Sequence, residues 1–277
     1  MVLAAIELPF RDRLRLRGLS DAHLGAKASE EKRLKRDIQQ IAEEEDSYVI
    51  LLGDQMDNIS IKDPRFQADS VAPALLPRLD SLINAQLELA IRTFEPIKHK
   101  IIGALIGNHE LKVMKVAGVD VHELFCKELG LRDLGYSCLL RLTLVKQFSG
   151  GSEKRRNVFD YCHHGHGGSG RKTGASINRM EDLAAEWDAD LYMMGHNHKR
   201  HTSTRANLKL TSNGKPRLVE KEQIFIRTGG YLKSFQEGKR PTYSEEAGYS
   251  PLKIGEPPYV DIRIEGERGD VKMRVTE

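Results

Sequence analysis

Seven of the ten histidines in this 277-residue chain stand in short clusters with Asp and Asn, and each cluster follows an apolar run. Leu191-Tyr192-Met193-Met194 leads into Gly195-His196-Asn197-His198. In an extended segment residues i and i+2 point to one side, so His196 and His198 can enter one pocket from one strand end. Asp21 and His23 repeat that spacing after Leu14 to Leu19. Asp54 follows Tyr48 to Leu52 and Gly53; Asn108 and His109 follow Ile101 to Ile106 and Gly107; His163, His164 and His166 follow Val158 to Cys162. Singly, each cluster also reads as a polar turn, with Asp as a helix cap and His as a loop residue. Together they form a donor set of carboxylate and imidazole without thiolate, which selects borderline to hard divalent ions such as Mn, Fe or Zn. The donors outnumber one coordination sphere. A carboxylate shared by two ions about 3.5–4 Å apart uses them, and such centres cleave phosphoesters.

The elements that must position these residues are read from the apolar pattern. Leu14 to Leu19 alternates with period two and is taken as the first strand. Tyr48 to Leu52 and Ile101 to Ile106 are short continuous apolar runs, as in strands buried on both faces. Helices are predicted over about 29–45, over a segment with Leu79, Leu82, Ile83, Leu87, Ala90, Ile91 and Phe94 at helical spacing and closed by Pro96, over 119–129 up to Gly130, and over 175–187. Residues 59–74 show no period and read as a long loop. Cys138 to Val145 and Val158 to Cys162 read as strands around a flexible surface turn over 149–156. The tail is all β. Ser212-Asn213-Gly214-Lys215 marks one hairpin between Leu208 to Thr211 and Leu218 to Ile226, and a turn over 266–270 joins Tyr259 to Ile264 with Val271 to Val275. In an open α/β sheet the carboxyl ends of the strands face one crevice, so the five clusters can converge.

Composition bounds the rest. Hydrophobic residues make up 39% and charged residues 30%, as in soluble globular chains. Lys plus Arg is 43 and Asp plus Glu is 40, a net of +3, which neither announces nor excludes a nucleic-acid partner. The three cysteines, Cys126, Cys138 and Cys162, lack motif spacing, so no disulfide framework is indicated. No apolar run is long enough to span a bilayer, and charge follows rather than precedes the first apolar stretch, which is not a signal peptide's order. A cytoplasmic protein without membrane contact is expected; the oligomeric state is not readable.

The order of motifs resembles the calcineurin-like metallophosphoesterases, whose pattern is D-x-H, GDxxD, GNH(E/D), a strand-end His, and GHxH. The chain carries Asp21-Ala22-His23, Gly53 to Asp57, Gly107 to Glu110, His164-Gly165-His166 and Gly195 to His198, in that order across residues 21–198. The stretch His163 to Gly174 and Thr228-Gly229-Gly230-Tyr231 looks like family members of phage and bacterial genomes. The resemblance implies an α/β fold, a four-layer αββα sandwich of two mixed β-sheets flanked by helices. It implies one domain over 1–277, with residues 199–277 completing the second sheet.

By position the resemblance also implies roles. Asp21, His23 and His198 would hold one divalent ion; Asn108, His164 and His196 the other; Asp54 would bridge both. His163 is the alternative to His164. Manganese is the expected metal, with iron, zinc or nickel as alternatives. His109 would protonate or stabilise the leaving group, and Asp57 would orient a ligand. Arg171, His163 and His166 are candidates either for supporting a ligand from outside or for substrate contact, Arg171 as a phosphate clamp within a glycine-rich loop. The implied activity is hydrolysis of a phosphate ester by in-line attack of a metal-bridging hydroxide. A phosphodiester of a nucleotide or nucleic acid is favoured by basic groups at Lys154 to Arg156, Lys199 to His201 and Lys239-Arg240. The alternatives are a small-molecule phosphomonoesterase and, from another class, a non-catalytic scaffold on the same fold. Asp57 is followed by Asn58 rather than Arg-Gly, which argues against a protein phosphatase.

Overall fold

The computed structural model describes residues 1–63, 66–148, 151–167, 174–210, 215–235, 256–265 and 270–276. The chain opens with a strand that the sequence reading passed over, β1 (Val2–Phe10), ahead of β2 (Arg13–Leu19). It continues through α1 (Glu31–Glu43), β3 (Ser47–Leu51), α2 (Leu82–Phe94), β4 (Ile101–Ala104), α3 (Asn108–Ala117) and α4 (Val121–Leu129). There follow β5 (Ser137–Gln147), β6 (Glu153–His163), α5 (Ala175–Glu186), β7 (Leu191–Met194), β8 (Arg200–Leu210), β9 (Leu218–Thr228), β10 (Tyr259–Glu265) and β11 (Asp270–Thr276).

Two mixed sheets result, in the orders β1-β5-β6-β7-β9-β8 and β11-β10-β2-β3-β4. Their facing surfaces enclose one apolar core that includes Leu14, Leu16, Ile50 and Leu52 from one sheet and Leu140, Leu142, Leu191, Met193, Ile224 and Ile226 from the other. On the outer face of the five-stranded sheet, Leu34, Ile38 and Ile41 of α1, Phe94 of α2 and Phe125 of α4 bury against Val49 and Leu51. On the outer face of the six-stranded sheet, Ile177 and Met180 of α5 cover Tyr161, Tyr192 and Phe225. Each strand of the middle therefore has apolar side chains on both faces, which is why β3, β4 and β7 are continuous apolar runs. The architecture is the expected one: two mixed sheets between layers of helices.

Several expectations are corrected. Residues 199–277 do not complete one sheet. The hairpin β8–β9 extends the sheet of β6 and β7, with β9 parallel to β7, whereas β10–β11 pairs antiparallel onto β2 in the other sheet. The first strand of the first hairpin begins at Arg200, not Leu208, and β6 begins at Glu153, inside the expected surface turn. The segment 59–74 contains a 3₁₀ turn at Ala68–Ser70 and the start of another at Pro73–Ser81, so α2 starts only at Leu82. A helix absent from the sequence reading, α3, begins directly at Asn108. The Asn-Gly turn and the turn over 266–269 lie outside the described residues.

Strands β2, β3 and β4 run parallel within one sheet, and β6 and β7 run parallel within the other. The five polar clusters follow the carboxyl ends of these five strands, so the two sheets deliver them to one edge of the sandwich.

Candidate metal centre

The first set of donors comes from β2 and β7. His23 Nε2 and His198 Nε2 lie 3.2 Å apart, and Asp21 Oδ1 is 3.4 Å from His198 Nε2 and 4.0 Å from His23 Nε2. Two ligand atoms 2.0–2.1 Å from a tetrahedral ion are about 3.3 Å apart, so these separations suit a shared cation. The second set comes from β3, β4, β6 and β7. Asn108 Oδ1 is 3.0 Å from His164 Nε2 and 2.7 Å from His196 Nδ1, and His164 Nε2 is 3.4 Å from Asp54 Oδ2. That same Asp54 oxygen is 3.9 Å from His23 Nε2 and so stands between the sets. The donor atoms of Asp21, His23 and His198 lie within 4.8 Å of one another, as do those of Asp54, His164 and His196. His109 forms a further group of this kind with His23 and Asp54.

The other ends of these side chains are tied down, as outer partners of metal ligands are. His23 Nδ1 donates to Asp57 Oδ1 at 3.3 Å, and His164 Nδ1 donates to the Leu52 carbonyl at 2.7 Å. Both rings thus turn Nε2 toward the shared space. Asp21 Oδ2 accepts from the backbone N–H of His196 at 2.8 Å and from the Ser20 hydroxyl. Asp21 Oδ1 is buried without a hydrogen-bond partner. An unpaired buried carboxylate oxygen is costly unless a cation meets it, and this orphan atom is the observation that a metal ion fits.

The backbone is strained at the same residues. Asp21, His23, Asp54, Asn58, His196 and His198 have φ between 44° and 72°, and they are all the non-glycine residues with positive φ among those described. Asp, Asn and His tolerate this region better than other residues, yet each instance still costs on the order of 1 kcal/mol. Such strain persists where the surroundings over-determine it, commonly at a working site. Close approach is built in too. A side chain at Gly195 would collide with Ser20 and Asp21.

The electrostatics favour added positive charge. Burial opposes protonation of His164, but Asp54 and Asp21 outweigh it and raise the imidazole to about 9. His23 is likewise raised to about 9 against its burial, by the hydrogen bond to Asp57 and by the charges of Asp54, Asp57 and Asp21. Burial would raise Asp54, yet the neighbouring histidines hold it well below the usual carboxylate range. Burial dominates at His198, lowered to about 4. The buried carboxylates thus keep protons on His23 and His164 but not on His198, and the same field suits divalent cations.

All seven residues named as ligands from the sequence are brought together. His164 rather than His163 faces Asp54 and Asn108; His163 Nδ1 instead accepts the backbone N–H of Gly165 at 2.7 Å. Its ring is lowered to about 4 by burial and by the neighbouring His166 and His164. His166 is exposed, with its ring 5.8 Å from that of His163. Arg171 and most of the glycine-rich loop lie outside the described residues. His109 donates its backbone N–H to Asp54 Oδ1 at 2.9 Å, and its ring Nδ1 meets the Asp57 carbonyl.

Residues not singled out as functional also hold the site. The Glu110 carboxylate accepts the backbone N–H groups of Asp54, Met56 and Gly107, each at 3.1 Å, and so clamps the second motif to the third. The buried Arg227 guanidinium donates to the carbonyls of Ser176 and Gly195. Tyr136 donates to the Gly165 carbonyl at 2.7 Å, with its ring edge-on to His164. Thr228 Oγ1 is 2.8 Å from Ser20 Oγ. Of these, only Thr228 and Glu110 stood in noted motifs. Arg227 and Tyr136 carry no local signal, since their contacts come from distant segments.

No family model and no curated protein matches the chain. Solved structures similar to it include the calcineurin-like phosphoesterase YfkN from Bacillus subtilis, at 12% identity over 96% of this chain and 90% of that one, with a TM-score of 0.40. A metallophosphoesterase from Sphaerobacter thermophilus is 13% identical over 95% of this chain and 89% of that one, with a TM-score of 0.35. Vps29 from Entamoeba histolytica, complexed with Zn, is 12% identical over 95% and 98%, with a TM-score of 0.33.

Proposed function

We propose that the chain is a dinuclear metal-dependent phosphoesterase of the calcineurin-like kind, acting on a phosphodiester of a nucleotide or nucleic acid. The observation that carries this reading is the pair of donor sets meeting at Asp54, with the buried Asp21 Oδ1 left without a partner. Asp21, His23 and His198 would hold one ion, Asn108, His164 and His196 the other, and Asp54 both. Such a pair of ions would supply Lewis-acid polarisation of phosphoryl oxygens and hydroxide near neutral pH, the chemistry that in-line displacement at phosphorus needs. Manganese fits the oxygen and imidazole donors, and the absence of thiolate disfavours softer ions.

The chain's own residues do the remainder. His109 donates Nδ1–H to the Asp57 carbonyl, which fixes the ring and leaves Nε2 for the substrate. The proton it would give to the leaving oxygen is the one on Nε2, while Nδ1–H stays on the carbonyl. Asp57 holds His23 by its carboxylate and His109 by its carbonyl, so one residue orients a metal ligand and the acid. Lys199, Arg200 and His201 continue directly from His198 into β8 and supply basic groups beside the site, which supports an anionic chain as substrate.

The test is an assay of Mn-reconstituted protein on bis-p-nitrophenyl phosphate, p-nitrophenyl phosphate, and single-stranded and duplex DNA. Cleavage of the bis-ester, with or without DNA, is the expected result. Cleavage of the monoester alone makes the protein a phosphomonoesterase. No turnover and no bound metal overturns the enzyme reading and leaves the scaffold.

A further inference from the structure

Helix α2 contributes no metal ligand, yet it reaches the site through one residue. Gln86 is fully buried on α2, and its Oε1 accepts the backbone N–H of Asn58 at 2.9 Å. It is packed so closely that a side chain at Gly25 would collide with it. The N–H of Asn58 and the C=O of Asp57 are the two ends of one planar peptide unit. The C=O end accepts from His109 Nδ1. A single hydrogen-bonded line therefore runs from Gln86 through the 57–58 peptide to the His109 ring.

That peptide needs holding. Asn58 has φ 53°, a conformation that costs a non-glycine residue on the order of 1 kcal/mol or more. Asn58 does not hold itself, because its side-chain Oδ1 and Nδ2 are buried without partners. The Asp57 N–H is fixed to the Leu24 carbonyl at 3.1 Å, so the next constraint along the chain is Gln86. Rotation of the 57–58 peptide would carry the carbonyl away from His109 and leave the Asp57 carboxylate on His23.

We propose that Gln86 is a positioning residue for His109, acting through the 57–58 peptide to keep Nδ1–H on the Asp57 carbonyl and so turn Nε2 toward the leaving group. The proposal rests on the reading of His109 as the leaving-group acid, but its structural core can be read without turnover. Gln86→Met removes the acceptor at nearly constant volume, Gln86→Glu keeps an acceptor, and Gln86→Asn withdraws it by one methylene and serves if the Met variant does not fold.

The deciding measurement is the ¹⁵N spectrum of the histidine rings, with His109 assigned by His109→Ala. The native protein and Gln86→Glu are expected to show a single Nδ1–H ring at His109, and Gln86→Met a mixture of tautomers. An unchanged His109 signal in both Gln86→Met and Gln86→Asn overturns the proposal, whatever the activity. In turnover, Gln86→Met should lower kcat about tenfold or more on an alkyl phosphodiester, whose alkoxide needs the proton, with KM and metal content held. The p-nitrophenyl ester, whose leaving group needs none, should lose less than about twofold. Equal loss on both esters overturns the link to the acid. A native protein inert to every ester, with His109 responding as expected, would instead overturn the proposed function alone.

Discussion

The backbone N–H of His196 donates to Asp21 Oδ2 at 2.8 Å, and this bond joins the end of β7 in one sheet to the end of β2 in the other. With Ser20 on the same oxygen, it leaves Asp21 Oδ1 as the free, buried donor. Asp21→Asn keeps the shape and removes the charge. Its affinity for Mn should fall by about a hundredfold or more, since even supporting partners of ligands are worth 10–100-fold. Ser20→Ala should fall within that smaller range. Competition with a chelator of known affinity measures both. Equal metal affinity in Asp21→Asn and the native protein would refute the assignment of Asp21 as a ligand.

Metal loading should expel protons. His23 and His164 are both raised to about 9, so at pH 7 the metal-free protein carries a proton on each. Ligation needs neutral imidazole. Binding at pH 7 should therefore release up to two protons per chain, and apparent affinity should climb with pH and level off above about 9. Calorimetry in two buffers of different ionisation enthalpy gives the proton count at pH 7 and at pH 9.5. A count that does not fall between these two values would contradict the electrostatic picture of the site.

The candidate donors were legible because they stand at strand ends. A strand buried on both faces announces itself as an apolar run, and few residue types at its end can bind a metal, so Asp54, Asn108 and His196 stood out as candidates; their separate roles came from the order of the motifs. Of what positions them, only Asp57, inside a motif, was legible. Gln86, Arg227 and Tyr136 are common residues whose contacts form only when distant segments meet. Strand β1 was missed because Val2–Phe10 is a half-covered edge strand that includes Pro9. Helix α3 was missed because it buries little beyond Glu110 and Val113, and so carries a weak apolar stripe.

Glu110 shows how much rests on one such buried residue. Its two oxygens accept three backbone N–H groups from the Asp54 and Gly107 loops. Glu110→Gln keeps one accepting oxygen, turns an amide NH₂ toward at least one of these donors and removes the charge from the remaining bonds. Hydrogen bonds to a charged acceptor contribute about 1.5–3 kcal/mol each, so a loss of about 3 kcal/mol or more is expected. Urea unfolding of the metal-free proteins measures it. Because the clamp fixes the Asp54 loop, Mn affinity should fall in the same variant. A variant with native stability would show that the clamp contributes nothing.

Asp160 has no part in the metal centre, and its effect should appear in stability alone. It lies on β6 opposite Leu140 and Leu191, inside the core between the sheets, and neither oxygen has a hydrogen-bond partner beyond the weak Cys162 thiol. Burial raises its carboxyl to about 7. The unfolded chain ionises near 3.8. Between those values the folded state holds a proton that the unfolded state has lost, so stability falls as pH rises. The contribution is intact below about pH 4 and is lost by about pH 7, a change on the order of 4 kcal/mol. Asp160→Asn removes this titration at nearly constant volume. The stability difference between Asp160→Asn and the native protein should therefore grow in the variant's favour from pH 4 to pH 7 and then stay level. Urea midpoints at pH 4, 5.5, 7 and 8 give that difference, and a flat line across the four would mean that Asp160 ionises in the fold as it does in water.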